Sequence, residues 1–211
     1  MKLVFFGAPG AGKGTIAKKL YDIYKIPQVS AGDMFRESIK NKTELGNAIA
    51  KVIAEGKLVS DEIAIQVIKE RIAKPDCSNG YILDGFPRTL IQAEKLEKLT
   101  PINIAVFFDI TDEEVKTRLC GRRICPKCGR IYHINTAKPK IEGMCDDHEE
   151  KLIIRPDDRE EAIIERLKIY HRQTEPLLTY YKSINKLEII DASKDPDTVA
   201  SQIVKKIKIK D

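Results

Sequence analysis

The first fifteen residues constrain this chain more than any other stretch. Residues 2–6 form an apolar, aromatic run typical of a buried strand, and they lead directly into Gly7-Ala-Pro-Gly-Ala-Gly-Lys-Gly-Thr15, after which a helical pattern begins. In such a loop, backbone N–H groups converge on one anion, Lys13 adds a charge, and the helix adds its dipole. The spacing predicts a loop that binds the phosphates of a nucleoside triphosphate, although position 14 is Gly and the expected hydroxyl comes at Thr15. The alternative is a glycine-rich turn without a ligand.

The composition is that of one ordinary globular core with room for small insertions. The 211 residues are 42% hydrophobic and 33% charged, and 37 basic against 32 acidic residues give a net charge of +5. This mild excess of positive charge fits a polyanionic small substrate and a nucleic acid equally well, so the net charge does not distinguish between these two ligand classes. No stretch approaches the roughly eighteen apolar residues of a membrane span, and the N-terminal apolar run ends at Pro9-Gly10, unlike that of a signal peptide. We therefore expect a soluble cytoplasmic protein that does not bind membranes.

Strand-like and helix-like segments alternate along the chain. Apolar runs typical of further buried strands lie at residues 26–30, 80–84, 103–109 and 187–190. Helical patterns cover residues 13–24, 89–99 and 112–122, a long helix follows Asp158, and a last helix begins near Pro196. Asp158 with Glu161 fits a capping box for the long helix. The alternation predicts an α/β fold with a parallel sheet covered on both faces.

Two segments carry further signals. Residues 34–74 keep a helical pattern with breaks at 42–43 and 56–61, which indicates a small helical subdomain inserted between strands. Asp84 ends an apolar strand, the position at which a carboxylate manages Mg²⁺ in proteins with a phosphate-binding loop. Taken alone, Asp84 fits a cap before a turn equally well; the loop at residues 7–15 favours the metal role.

A cysteine-rich segment interrupts the α/β rhythm between Gly121 and Asp158. Cys125-Pro-Lys-Cys128 is followed, after sixteen intervening residues, by Cys145-Asp-Asp-His148, a spacing typical of a closed, tetrahedral structural zinc site. Asp146 and Asp147 are alternative ligands, and His133 is a weaker candidate. The segment holds eight basic and seven acidic residues, so it lacks the basic stripe of a nucleic-acid-binding module. We therefore expect a structural metal in this segment and no nucleic-acid partner.

The motifs resemble those of the adenylate kinases in order and spacing. They are Gly7–Thr15, Ser30-Ala-Gly-Asp-Met-Phe-Arg36, Gly56-Lys-Leu-Val59, Asp84-Gly-Phe-Pro-Arg-Thr89 with Gln92, Gly121-Arg-Arg123 and Arg155-Pro-Asp-Asp158. The resemblance spans almost the whole chain, and Asp-Gly-Phe-Pro-Arg is specific to nucleoside monophosphate kinases. It implies the P-loop nucleoside monophosphate kinase fold with a core over residues 1–29, 60–120 and 159–211, a helical NMP-binding subdomain over 30–59, and a long bacterial-type lid with a zinc site over 121–158.

The resemblance also implies an activity and its residues. The reaction is the reversible transfer of the terminal phosphoryl group of MgATP to AMP, which gives two ADP, with Mg²⁺ bound to ATP and structural Zn²⁺ in the lid. The implied ATP-binding residues are Gly10, Ala11, Gly12, Lys13, Gly14, Thr15, Arg118, Arg122, Ile131, Tyr132 and Lys194. The implied AMP-binding residues are Ala31, Arg36, Lys57, Leu58, Val59, Gly85, Phe86, Pro87, Arg88, Gln92, Arg155 and Arg166. The residues implied for the chemistry are Lys13, Asp84, Arg88, Arg122, Arg155 and Arg166, and those for the metal are Cys125, Cys128, Cys145 and His148.

One position departs from the family pattern and keeps an alternative open. Residue 31 is Ala where many adenylate kinases have Thr, and Ser-Ala-Gly-Asp also occurs in UMP/CMP kinases, so a UMP/CMP kinase is the alternative. The amide of Gln92 suits the donor and acceptor edge of adenine and favours AMP. A P-loop GTPase would need an Asn-Lys-x-Asp guanine reader, and Asn41-Lys-Thr-Glu44 lacks the Asp. A zinc-containing nucleic-acid-binding P-loop protein is a distant third reading. With no long exposed apolar stripe in view, we expect a monomer.

Overall fold

The computed structural model describes residues 1–210, with side chains up to residue 208, so residue 211 of the predicted core lies outside the described part. Its strands are β1 (Lys2–Gly7), β2 (Gln28–Ser30), β3 (Tyr81–Asp84), β4 (Ile104–Asp109), β5 (Arg122–Ile124), β6 (Ile131–His133) and β7 (Leu187–Asp191). Its α-helices are α1 (Lys13–Tyr24), α2 (Ala31–Lys40), α3 (Glu44–Ala54), α4 (Asp61–Ile72), α5 (Leu90–Leu99), α6 (Asp112–Cys120), α7 (Glu160–Ile169), α8 (Leu177–Ser183) and α9 (Pro196–Lys210).

Five of these strands form one parallel sheet in the order β2-β3-β1-β4-β7, and β5 and β6 form a separate antiparallel hairpin. In this register Asp84 at the end of β3 lies beside Phe5 of β1 and Ser30 of β2. The loop after β1 and the carboxylate after β3 therefore meet at the same edge of the sheet. Ligands of open parallel sheets bind at this edge, beyond the carboxyl ends of the strands.

The sheet is apolar on both faces, as the strand pattern predicts. On one face, Val4 and Phe6 are fully or almost fully buried, and the Phe6 ring lies 5.3 Å from the ring of Tyr181 in α8. On the other face, Leu3 and Phe5 pack with residues of α1 and α9. Complete burial of side chains of this size supplies roughly 1.5–3 kcal/mol each. The predicted α/β fold, with helices covering both faces of a parallel sheet, is confirmed.

Helix α6 ends at Cys120, two residues before its predicted end. A Cβ on Gly121 would lie 2.1 Å from Nε2 of His133, so glycine is required for β6 to pack against this turn. Arg122 then begins β5. The guanidinium of Arg123 donates to the carbonyl of Cys120 at 3.0 Å, which satisfies an acceptor left free at the helix end. The predicted continuation of α6 to Arg122 is wrong because the chain turns here into the hairpin.

The predicted start of the long helix is also wrong. Helix α7 begins at Glu160, and its N-cap residue, Arg159, makes no side-chain capping bond. Asp158 does not cap the helix, because its carboxylate forms ion pairs with Arg122 and Arg166. The capping box predicted from Asp158 and Glu161 is therefore absent.

The long helix is interrupted as well as displaced. A π-helical turn spans Tyr170–Thr174, and Pro176, which has no N–H to continue an α-helical ladder, follows it. Turns of this kind frequently lie at functional sites. In this turn, the Thr174 hydroxyl donates to the backbone carbonyl of Arg88 at 2.9 Å. The π-helical turn therefore holds the backbone of Arg88, a predicted site residue, in place.

His171 ties the π-helical turn to α6. Its Nδ1 lies 2.9 Å from Oε2 of Glu175, and its Nε2 lies 3.0 Å from Oδ2 of Asp112. Hydrogen bonds with Glu175 and then Asp112 raise the pKa of His171 above its ordinary value. Because the pKa is raised on folding, the proton on His171 stabilises the folded state fully below the unfolded pKa of about 6.5, and this contribution is lost as the pH rises through the folded pKa.

We expect the melting temperature to fall more between about pH 6 and pH 8 in the wild-type protein than in His171→Gln. The difference should be small, about 1–2 °C, because the side chain is 45% exposed and the pairs are screened by solvent. Thermal unfolding of both proteins in the same buffers measures it. An identical pH dependence in the two proteins would show that these contacts add nothing to stability.

No helix in the described range is both long and apolar enough to cross a membrane.

Candidate active site

The glycine-rich loop joins β1 to α1 and curls around the side chain of Lys13. Gly10 and Gly12 have φ angles of 78° and 89°, a left-handed conformation that favours glycine. The Lys13 ammonium donates to the carbonyl oxygens of Gly7 at 3.1 Å and Ala8 at 2.7 Å. Helix α1 has neither a side-chain cap nor an acidic residue in its first turn. Its N-terminal N–H groups and dipole are therefore available to an anion.

Gly14 lies against the side chains of Asp84 and Gln28. A Cβ on Gly14 would lie 3.0 Å from Oδ2 of Asp84 and 3.2 Å from Nε2 of Gln28, which is closer than ordinary van der Waals contact. These two side chains hydrogen bond to each other at 2.7 Å. Glycine at position 14 therefore leaves this hydrogen-bonded pair undisturbed, and the hydroxyl of the loop comes at Thr15.

Lys13 and Asp84 are the charged pair beneath the loop. Burial lowers the pKa of Lys13 to about 8, and the charge of Asp84 offsets this only in part. Burial also raises the pKa of Asp84, against the effect of Lys13. Burial disfavours the charged forms of both side chains. An anion next to Lys13 would therefore favour the charged ammonium, and a cation next to Asp84 would favour the charged carboxylate. A metal–polyphosphate ligand supplies both charges.

Arginine side chains are concentrated on the other side of the cleft. Burial, together with the neighbouring positive charges of Arg166 and Arg36, lowers the pKa of Arg88 to about 10. Burial lowers the pKa of Arg155 to about 10 in the same way, with Arg36 and Arg122 adding to the effect. In the part of the chain with described side chains, the buried Nε of Arg155 has no hydrogen-bond partner. Mutually repelling guanidinium groups with an unused donor are suited to a highly charged anion.

Two buried aspartates hold Arg122 and Arg166 in place. The carboxylate of Asp158 accepts from Nε of Arg122 at 2.7 Å and from Arg166 at 3.1 Å. The backbone carbonyl of Asp157 accepts from Arg166 at 2.8 Å. Burial alone would raise the pKa of Asp157, but Arg166 and the other arginines lower it. This role was not predicted from the sequence, although both aspartates directly follow Arg155-Pro156, which marks the segment as part of the site.

The predicted nucleotide-binding residues line two connected spaces. An open cleft of about 2070 Å³ exceeds the roughly 300–1,000 Å³ of an ordinary small-molecule pocket, so it has room for more than one ligand. The predicted ATP-binding residues from Gly10 to Lys194 all line this cleft, as do Pro87 and Arg155 from the predicted AMP set. A smaller adjoining pocket brings together the other predicted AMP-binding residues: Ala31, Arg36, Lys57, Leu58, Val59, Gly85, Phe86, Arg88, Gln92 and Arg166.

Some predicted site residues contact neighbouring protein groups in this structure. Arg118 donates to the backbone carbonyl of Ala192 at 2.9 Å, and Nζ of Lys194 lies 3.7 Å from Oδ2 of Asp191. Both residues therefore lie where α6 meets the loop after β7. Tyr132 is only 3% exposed; its hydroxyl accepts from the backbone N–H of Asp146 at 2.8 Å, so its side chain supports the hairpin interior.

The four residues predicted to bind a metal form one cluster next to the β5–β6 hairpin. Their ligand atoms all lie within 4.8 Å of one another in Cys125, Cys128, Cys145 and His148. The sulfurs of Cys128 and Cys145 are 3.8 Å apart, and the Cys145 sulfur is 3.7 Å from Nδ1 of His148. Zn–S bonds of about 2.3 Å in a tetrahedron require sulfurs about 3.8 Å apart. The cluster therefore fits a structural zinc ion.

The surroundings of the cluster support the same ligand set. Burial opposes ionisation of Cys145, but hydrogen bonds from Tyr132 and His148 lower the pKa of its thiol to about 6. The alternative ligands are engaged elsewhere: Asp146 accepts from the N–H of Lys140, and Asp147 pairs with Arg130, each at 2.7 Å. His133 accepts two backbone N–H bonds at Nδ1 and is not part of the cluster.

We expect Cys145→Ser to lower the melting temperature by several degrees while leaving activity at low temperature nearly unchanged. A structural metal contributes its binding free energy to the folded state, and the cluster is separate from the phosphate-binding loop. Differential scanning calorimetry, turnover and elemental analysis measure the three consequences. Cys120→Ser is the matched control, because Cys120 is an exposed free thiol outside the cluster. Equal melting of the two variants, with no metal bound to the wild type, would contradict the expectation.

The fold and the site together define the class of the protein. A phosphate-binding loop lies at the edge of a parallel sheet, a helical insertion lines a second pocket, and a hairpin with a Cys₃His cluster lies across the cleft. This is the architecture of the P-loop nucleoside monophosphate kinases. A comparison with family models matches residues 5–186 to the model described as adenylate kinase. The chain belongs to the adenylate kinase family.

Curated relatives agree over nearly the full length. The chain is 50% identical to an adenylate kinase of Treponema denticola, with 91% of this chain and 92% of the relative covered. It is 45% identical to an adenylate kinase of Acetivibrio thermocellus, with coverage of 97% and 96%, and 44% identical to one of Thermosipho melanesiensis, with coverage of 97% and 98%.

Proposed function

We propose that the protein catalyses the reversible transfer of the terminal phosphoryl group of MgATP to AMP, giving two ADP. The observation that carries this proposal is the set of mutually repelling arginines between two spaces, one beside the phosphate-binding loop and one beside Gln92. Phosphoryl transfer needs little covalent help from a protein, so its rate depends on alignment and on neutralising spread charge. Permanently charged, planar guanidinium groups suit this task.

On the ATP side, the loop from Gly10 to Thr15 would hold the phosphates through backbone N–H groups and Lys13. Asp84 and Thr15 are the residues that would hold Mg²⁺ and its waters, and this ion neutralises phosphate charge when bound with ATP. Arg122 and Ile131 would cover ATP from the hairpin side, and the buried Tyr132 would support the hairpin from its interior. Arg118 and Lys194 would lie near the adenosine, since Arg118 contacts the loop after β7 and Lys194 belongs to this loop.

On the AMP side, the smaller pocket would hold the nucleotide, with Arg36 and Arg88 on its phosphate. Residues 57–59 and 85–87 would enclose the base and ribose, with Ala31 and Gln92 at the base. Arg155 and Arg166 would reach the transferring group from α7 and the segment before it. Asp157 and Asp158 orient Arg166, and Asp158 also orients Arg122 of the ATP side, before any nucleotide binds.

We further propose that residues 30–59 and 121–158 act as two flaps on a core of residues 1–29, 60–120 and 159–211. Closure of both flaps would exclude water, the competing acceptor of the phosphoryl group. The two segments already touch, since the ammonium of Lys40 donates to the backbone carbonyl of Pro126 at 3.0 Å. The reduced Cys₃His cluster favours a cytoplasmic location, and a monomer is the simplest assembly.

Initial rates with MgATP and AMP, UMP, CMP or GMP in parallel test the proposal. We expect AMP to lead by about a hundredfold, an ordinary margin where hydrogen bonds read the base. Failure to form ADP from ATP and AMP would refute the proposal. If the rate with UMP or CMP equalled the rate with AMP, Ala31 would affect base selectivity more than Gln92 does. The acceptor would then be a pyrimidine nucleotide bound by the same fold.

A further inference from the structure

Gln92 is almost fully buried, with 2% of its surface exposed, and it lines the smaller pocket. Its amide makes two hydrogen bonds to the protein. The carbonyl oxygen Oε1 accepts from the backbone N–H of Arg88 at 2.7 Å, and the nitrogen Nε2 donates to Oδ1 of Asp61 at 2.8 Å. An amide has two N–H donors and two acceptor lone pairs, so these contacts use half of its capacity. The other half is available to a ligand in the pocket.

The two partners fix which way the amide points. A backbone N–H can only donate, and an ionised carboxylate can only accept. If the amide turned over, its NH₂ would face the N–H of Arg88 and its oxygen would face the carboxylate of Asp61. Both hydrogen bonds would be replaced by repulsion in a buried position, where an unmatched polar group is costly. The orientation of Gln92 follows from the chemistry of its neighbours.

Asp61 is itself held in place. It is the first residue of α4, where a negative charge interacts favourably with the helix dipole. The N-cap of α4 is Ser60, so the carboxylate of Asp61 is not needed for capping. Its Oδ1 accepts a second hydrogen bond, from the hydroxyl of Thr89 at 2.9 Å, and that hydroxyl in turn accepts from the backbone N–H of Gln92 at 3.2 Å. Asp61, Thr89 and Gln92 form a closed set of hydrogen bonds.

We propose that Asp61 is a positioning residue that makes Gln92 selective for a 6-aminopurine over a 6-oxopurine. A 6-aminopurine presents an N–H donor at position 6 beside an acceptor at N1, and a 6-oxopurine presents the reverse. A free glutamine amide could match either edge by turning over, so it could not discriminate between them. An amide locked by the Asp61 carboxylate together with the N–H of Arg88 matches one edge and repels the other. This inference rests on the proposed function, in which Gln92 contacts the acceptor base.

The test is the ratio of kcat/KM for AMP to kcat/KM for IMP, two nucleotides that differ at position 6. We expect Asp61→Leu, which is close in size and cannot accept, to lower this ratio by at least about tenfold, the scale of one lost hydrogen bond to a charged group. KM for AMP should rise, with kcat changed much less. Asp61→Asn keeps an acceptor oxygen for Gln92 and should retain most of the selectivity.

A double-mutant comparison separates positioning from general damage. In a Gln92→Leu background, Asp61→Leu should have no further effect on the AMP-to-IMP ratio, because its effect passes through the amide. If Asp61→Leu unfolds, Asp61→Ala or Thr89→Val takes its place, with Thr89→Val expected to act in the same direction more weakly. An unchanged ratio in a folded Asp61 variant, or an equal loss in the Gln92→Leu background, would overturn the inference. Failure of the wild-type protein to use AMP would instead refute the proposed function.

Discussion

Lys13→Met is expected to lower kcat by about a thousandfold or more while leaving the fold intact. The ammonium of Lys13 lies within the glycine-rich loop, bound to the carbonyls of Gly7 and Ala8, and it is the cation closest to the phosphates in the proposed complex. Removing a preorganised positive group from a site of developing negative charge costs about 10²–10³ in kcat, and essential charges in phosphoryl transfer cost more. Methionine keeps the length of the side chain and removes the charge.

Stability should respond in the opposite sense to activity. Burial lowers the pKa of Lys13 to about 8, so the protein without nucleotide holds this charge at a cost, and its loss should leave the melting temperature unchanged or slightly higher. The stabilisation that ATP confers on the wild type should largely disappear in the variant. Turnover, melting temperature and the ATP-induced shift are the measurements, with Lys95→Gln, at an exposed position of α5, as the control. Near wild-type turnover in a folded Lys13→Met protein would contradict the proposed role.

Features that depend on neighbouring residues could be predicted from the sequence. The apolar run of residues 2–6, the glycines after it and the helical pattern from Lys13 together define β1, the loop and α1, because each signal is local. The same holds for the paired cysteines, whose two-residue spacing places Cys125 and Cys128 in one cluster of potential metal ligands. The alternation of strands and helices was sufficient for the parallel sheet.

Features that depend on contacts distant in sequence could not be predicted in this way. Asp158 and Glu161 match a local capping pattern, but Arg122 lies 36 residues away along the chain and its guanidinium binds the Asp158 carboxylate instead. Two charge-assisted hydrogen bonds to an arginine outweigh a single capping bond. The lock between Asp61 and Gln92 is of the same kind, because the two residues come from different helices and meet only in the folded protein.

Arg88→Met is expected to reduce kcat by about 10³-fold and, at the same time, not to destabilise the protein without nucleotide. Arg88 is anchored at both ends: its Nε donates to the carbonyl of Gly85 at 2.8 Å, and its own carbonyl accepts from Thr174 at 2.9 Å. This anchoring aims the remaining guanidinium donors at the space between the two proposed nucleotide sites. An arginine that stabilises charge on a transferring phosphoryl group is worth about 10³–10⁵ in kcat.

The stability effect separates this role from an ordinary structural one. Burial and the charges of Arg166 and Arg36 lower the pKa of Arg88 to about 10, so its positive charge is disfavoured in the empty site and favoured only when phosphates are present. Removing it relieves that repulsion, which should offset the lost bond to Gly85. The melting temperature of Arg88→Met should therefore equal or exceed that of the wild type, whereas the exposed control Arg172→Met should change neither turnover nor melting. A large fall in melting temperature with turnover retained would mean that Arg88 serves the fold, and that the phosphoryl group is stabilised by the arginines around it.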